Sequence, residues 1–122
     1  MKIKVAATQM RCDWEIENNL KKSINLIEKA AEQGANIILL QELFQTPYFC
    51  IQYDEEIFKL AQTFENNSLI NKMSEVAKKH KVVLPISFFE KDNNAYFNSI
   101  AVIDADGKVL GKYRKSHIPD GA

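Results

Sequence analysis

Apolar residues recur at every second position in Ile3, Val5 and Ala7, which is the period of a strand with one covered face. From Leu20 the spacing lengthens to Ile24, Ile27 and Ala31, a helical stripe. Glu15 and Glu17 fall in the first turn of that helix, where its dipole favours acids, and Gly34 supplies the stop. The run "NIILLQELF" from Asn36 to Phe44 has no alternation. It predicts a strand covered on both faces, as in the interior of a sheet flanked by helices. Leu69, Met73, Val76 and Ala77 predict a second helix with Asn67 or Ser68 as its cap, ending at His80 and Lys81.

A third apolar run, "VVLPISFF", contains Pro85, which has no amide hydrogen for a ladder and so predicts a bulge or an edge there. "AYFNSIAVID" and "KVLGKYRKS" are two strand-like runs that share the turn residues "DADG", the pattern of a β-hairpin. Residues 48–64 carry the weakest pattern, with a short helix expected around Asp54 to Ala61. The strand–helix–strand–helix alternation predicts an α/β layered fold. With no internal repeat, low-complexity tract or linker, residues 1–122 read as one domain.

At 122 residues, 46% of them hydrophobic, the chain can build one core. Its 16 basic and 16 acidic residues leave no excess positive charge to meet a nucleic-acid backbone, so no nucleic-acid partner is expected. No stretch is long and apolar enough to span a membrane, and the apolar run after Lys2 is too short for a secretion signal. The expectation is a cytoplasmic protein with Cys12 and Cys50 as reduced thiols.

Glu42 stands at the end of the oily run, where residues just past the C-terminal ends of buried strands line the crevice of layered α/β folds. A partly desolvated carboxylate there would be a better base near neutral pH, whereas one pointing to solvent would have no role. Lys115 holds the equivalent place after the last strand. It is either part of a solvated basic run or, beside a glutamate, a cation for a developing oxyanion. Spacing leaves both pairs of alternatives open. His117 has no second histidine at metal spacing, His80 sits at a helix end, and Cys50 lies in an aromatic stretch as a packed thiol.

"KVAATQM", "ANIILLQELFQTPYFC" and "VVLPISFFEKDNNAYFNSIAVIDADGKVLGKYRKSHIPDG" together resemble the N-terminal part of the carbon–nitrogen hydrolases of the nitrilase superfamily, over nearly the whole chain. The resemblance implies the N-terminal half of a four-layer α-β-β-α sandwich. It also implies a catalytic triad of glutamate, lysine and cysteine, in which Glu42 matches the first and Lys115 the second. Within the superfamily the likeness is strongest to the branch that cleaves N-carbamoylputrescine to putrescine, carbon dioxide and ammonia. Branches acting as β-ureidopropionase or ω-amidase are the neighbouring alternatives. Tyr48 follows the glutamate motif as a substrate contact or as an aromatic packed under the loop, and Asn98 matches a supporting position near the site. No metal or organic cofactor is implied.

The family's nucleophile lies in a Cys-Trp segment beyond the lysine motif, and neither Cys12 nor Cys50 matches it. The chain also reads Ala122 after "PDG", where the family pattern continues Pro-Gly. A half-domain is therefore expected, inactive alone, with an apolar sheet face that needs a complementary segment or a second copy. A noncatalytic half-domain that binds a partner, or recruitment of Cys50 as the nucleophile, are the other readings.

Overall fold

A computed structural model of the protein describes residues 2–48 and 55–116. Strand β1 (Val5–Ala7) leads into helix α1 (Ile16–Glu32) and then strand β2 (Ile37–Leu39), which pairs parallel with β1 in the register Val5 to Ile37 and Ala7 to Leu39. Glu15 is the extended N-cap of α1, Glu17 lies in the first turn and Lys29 in the last, matching the helix dipole at both ends. After Gln33 the chain leaves the helix through Gly34 at φ +91°, a backbone angle that L side chains rarely adopt. The expected helix and stop are present, while the first strand begins only at Val5 and turns Ala6, not the alternating Ile3, Val5 and Ala7, towards the core.

A single turn of helix, α2 (Glu55–Phe58), stands where the weakly patterned region predicts a short helix, with Asp54 outside the described residues. Helix α3 (Ser68–His80) is capped by Asn67, whose side chain accepts a hydrogen bond from the Ile70 amide at 3.1 Å. Of the two candidate caps it is thus Asn67 that serves. Lys78, Lys79 and His80 fill the last turn, and Lys81 ends the helix in the left-handed region at φ 55°.

Three antiparallel strands follow in spatial order: β3 (Leu84–Asp92), β4 (Ala95–Ile103) and β5 (Val109–Arg114). They are tied to the parallel pair by the Ile38 amide donating to Val83 O at 3.0 Å and the Val83 amide donating to Asn36 O at 2.8 Å. The β4–β5 hairpin turns through Asp104 to Gly107 as the sequence predicts. Pro85 sits inside β3 in regular register with Val102 of β4. The bulge lies one strand further on, between Val102 and Ile103 in the β4–β5 pairing. On the side of β3 away from β4, the bridges are at Val83 and Glu90, so Pro85 has no ladder there to interrupt.

Helices α1 and α3 cover one face of the sheet. Ile38, Leu84, Ile86, Phe88, Ala101 and Ile103 pack against Ile27 of α1 and Leu69, Met73 and Ala77 of α3. On the other face Val5, Leu39 and Tyr113 are exposed. This corrects the expectation that the run after Asn36 is covered on both faces: Ile38 is fully buried, but Leu39 is 44% exposed. Among the described residues, the groups that reach this face, Leu43 and α2 (Ile57 and Phe58), pack over Phe89 and Tyr96 and leave Leu39 open.

Candidate active site

Glu42 is carried by a turn that starts just beyond β2. The next residue, Leu43, has φ 50°, which costs an L residue about 1–2 kcal/mol. Two features offset that cost. The Leu43 side chain is buried against Ile57 and Phe89, and its amide donates to the buried Ser87 hydroxyl at 2.8 Å. The turn is therefore pinned to β3, and Glu42 is delivered to the face of the sheet opposite α1 and α3.

Lys115 follows β5 directly, and its amide extends the ladder by donating to Asn98 O at 2.8 Å. The side chain turns to the same face, with Nζ 3.0 Å from Glu42 Oε1. The buried Asn98 side chain donates through Nδ2 to that same oxygen. Residues 73 apart in sequence thus meet as an ion pair, with an amide as the third member. The group stands on an open cavity of about 290 Å³ floored by Leu39, Leu40, Ser87, Ile100 and Tyr113. Glu42 stands between the desolvated and the solvent-facing placements that the sequence leaves open. Its side chain is 42% exposed and that of Lys115 is 39% exposed, because the face they stand on is open.

Tyr48 lies outside the lining of this cavity and is partly exposed. The Cys12 thiol donates to Phe44 O at 3.1 Å and accepts from Gln41 Nε2 at 3.2 Å. Burial pushes it above its ordinary value, so Cys12 is a packed thiol rather than an activated one. Cys50 and His117 fall outside the described residues. His80 ends α3 with Nε2 3.7 Å from Glu28 Oε1 on α1. Among the described residues no cluster of three metal-ligating side chains forms.

Two polar groups escaped the sequence reading. Ser87 is the polar residue inside "VVLPISFF", a signal that it has a partner to satisfy, and that partner is the Leu43 amide. Glu90, at the end of the same strand, lies on the helix-covered face. It accepts from Ser99 Oγ at 2.8 Å, from Arg114 Nε and Nη2 at 2.9 and 3.0 Å, and from Lys112. Burial alone would raise this carboxyl, but the hydrogen bonds from Arg114, Lys112 and Ser99 outweigh it and hold it at about 2. The Arg114 guanidinium also stacks 3.9 Å above the Phe97 ring.

The sequence model of the carbon-nitrogen hydrolase family matches residues 4–122. The chain is 50% identical over 117 residues to an N-carbamoylputrescine amidase of Arabidopsis thaliana, a match that covers 96% of this chain and 39% of that protein. It is 46% identical over 119 residues to a citrullinase of Francisella tularensis, covering 98% of this chain and 42% of the other. The crystal structure of a carbon-nitrogen hydrolase from Helicobacter pylori superposes with a TM-score of 0.88 at 35% identity, over 98% of this chain and 41% of that one. The chain thus spans about two-fifths of the length of the relatives it matches.

Proposed function

Because the chain belongs to the carbon–nitrogen hydrolase family and has the N-terminal half of its α/β fold, we propose that it carries two members of an amidohydrolase triad, the base Glu42 and the cation Lys115. The substrate proposed is N-carbamoylputrescine, hydrolysed to putrescine, carbon dioxide and ammonia. The observation that carries this reading is the 3.0 Å pair between Glu42 and Lys115 at the rim of an open cavity. The two residues lie 73 positions apart in the sequence.

In this mechanism a cysteine thiol attacks the ureido carbon and passes its proton to Glu42. Lys115 stabilises the oxyanion of the tetrahedral intermediate, and Glu42 returns the proton to the departing ammonia. Water, activated by the same carboxylate, then cleaves the S-thiocarbamate and releases the thiol. The carbamate so formed loses carbon dioxide to leave the amine. Cys12 does not line the cavity and its thiol is raised, so we assign the attacking cysteine to the part of the family's length that these residues do not span. Tyr48 remains a proposed substrate contact, at the edge of the described residues. A free Cys12 thiol suits the cytoplasm as the working compartment. The exposed sheet face is proposed to be covered by a complementary segment or a second copy of the chain.

The identity to citrullinase supports citrulline as a second substrate, since both molecules end in a ureido group. The test is ammonia release by the complete gene product from N-carbamoylputrescine, citrulline and an ω-amide. A preference for N-carbamoylputrescine is expected. A preference for citrulline keeps the ureido chemistry and replaces the substrate, one for the ω-amide overturns the ureido reading, and release from none favours a noncatalytic module.

A further inference from the structure

Both hydrogen bonds that Glu42 makes among the described residues end on one oxygen, Oε1, which takes the Lys115 ammonium at 3.0 Å and the Asn98 amide. Oε2 accepts none of them. We propose that Asn98 is the positioning residue of this site: it locks Oε1 in place, and so reserves Oε2 as the oxygen that takes and returns the proton. The inference rests on the reading of Glu42 as the base.

The geometry around Asn98 supports a built support rather than a chance contact. Its side chain is buried on a sheet face where Leu39, Ile100 and Tyr113 are large neighbours and the Ser87 hydroxyl is already engaged by the Leu43 amide. A buried amide in such a place is retained at a cost unless it is bonded, and the bond it makes is to Glu42. Asn98 also holds the other member of the pair, since its carbonyl accepts the Lys115 amide at 2.8 Å. One residue thus fixes the backbone of the cation and the carboxylate of the base. A lysine alone, on a flexible four-carbon stem, would leave the carboxylate free to rotate and exchange its two oxygens. A donor fixed in a strand removes that freedom.

The test uses the complete gene product, with Glu42→Gln, Asn98→Asp and Asn98→Ser compared with the wild type. Lys115 and Tyr113 are the titratable groups that share the cavity with Glu42 among the described residues, and both are unchanged in these variants. Glu42→Gln is expected to lower kcat by about 10²–10⁴-fold. Asn98→Asp is nearly isosteric but replaces the donor by a second carboxylate, which disfavours the charged form of Glu42. Its kcat should fall about a hundredfold with little change in KM, and the acid limb of its pH–rate profile should move up by about one pH unit. Asn98→Ser, which removes the donor without adding charge, should move the limb in the same direction by less, and it serves if the Asp variant does not fold. A residue that only filled space would leave the limb where it is. Wild-type rates in Glu42→Gln overturn the base reading, and the Asn98 assignment falls with it. Loss of activity in Glu42→Gln with an unmoved acid limb in the folded Asn98 variants overturns the Asn98 assignment alone.

Discussion

Glu90 and Glu42 show how two carboxylates of the same chain come to opposite ends. Glu90 is 1% exposed, and its two oxygens are saturated by Ser99, Arg114 and Lys112. Such a group is spent on the fold. Glu42 is partly open to solvent, with one oxygen anchored by Lys115 and Asn98. The fold's use of Glu90 has a pH signature. Its carboxyl lies near 4.5 in an unfolded chain and at about 2 in the folded one, so folding favours the ionised form. The stabilisation, on the order of 3 kcal/mol, is fully present above pH 4.5 and is lost as pH falls towards 2. Urea midpoints of the complete gene product followed from pH 7 to pH 2 are expected to drop across that window. In Glu90→Gln the drop should be much shallower. Stability at pH 7 should also be lower by about 3–5 kcal/mol, because Lys112 and Arg114 lose their buried partner.

The β4–β5 hairpin owes its position to its tip as much as to its ladder. Gly107 holds φ +88°, and a Cβ there would meet the Ser74 carbonyl of α3 at 2.9 Å and Lys78 Cβ at 3.3 Å. The turn is therefore pressed onto the backbone of α3, which seats β5 and, through it, Lys115. Gly107→Ala is expected to destabilise the protein by about 2 kcal/mol or more, from the left-handed backbone and the close approach together. A urea midpoint unchanged from wild type would show that the tip has room to move away. The bulge at Val102 and Ile103 belongs to the same element. It lets β5 keep its pairing with β4 up to Arg114, so that Lys115 emerges beside Asn98.

At the scale of the whole molecule, the dominant feature is a sheet with α1 and α3 on one side and, on the other, apolar side chains that α2 and Leu43 cover only around Phe89 and Tyr96. Val5, Leu39, Leu110 and Tyr113 are large, exposed and gathered on strands β1, β2 and β5. Exposed apolar area of this kind drives association. The 122-residue chain prepared alone is expected to sediment as a species larger than a monomer and to unfold over a broad temperature range. A monomer with a sharp thermal transition would show that the face is stable uncovered. The same open face explains why the Glu42–Lys115 pair stands in solvent. Cover over the cavity would desolvate both charges at once and strengthen every interaction between them.

Elements set by local chemistry were legible in the sequence. Helix α1 follows from its apolar stripe and Gly34, helix α3 from Leu69 to Ala77 and its asparagine cap, and the hairpin from its turn residues. Each rests on contacts a few residues apart. Glu42 and Lys115 were legible as strand-end residues, and their meeting only through the triad that the family resemblance implies. That meeting depends on the turn at Leu43, on Ser87 and on Asn98, which lie 44 and 56 residues from the groups they hold. The burial of Glu90 was hidden for the same reason, since its partners come from two other strands. Periodicity along the chain records which face of an element is apolar. Only the tertiary structure decides which faces are covered and which distant polar groups share an oxygen, because burial and hydrogen bonding are properties of neighbours in space.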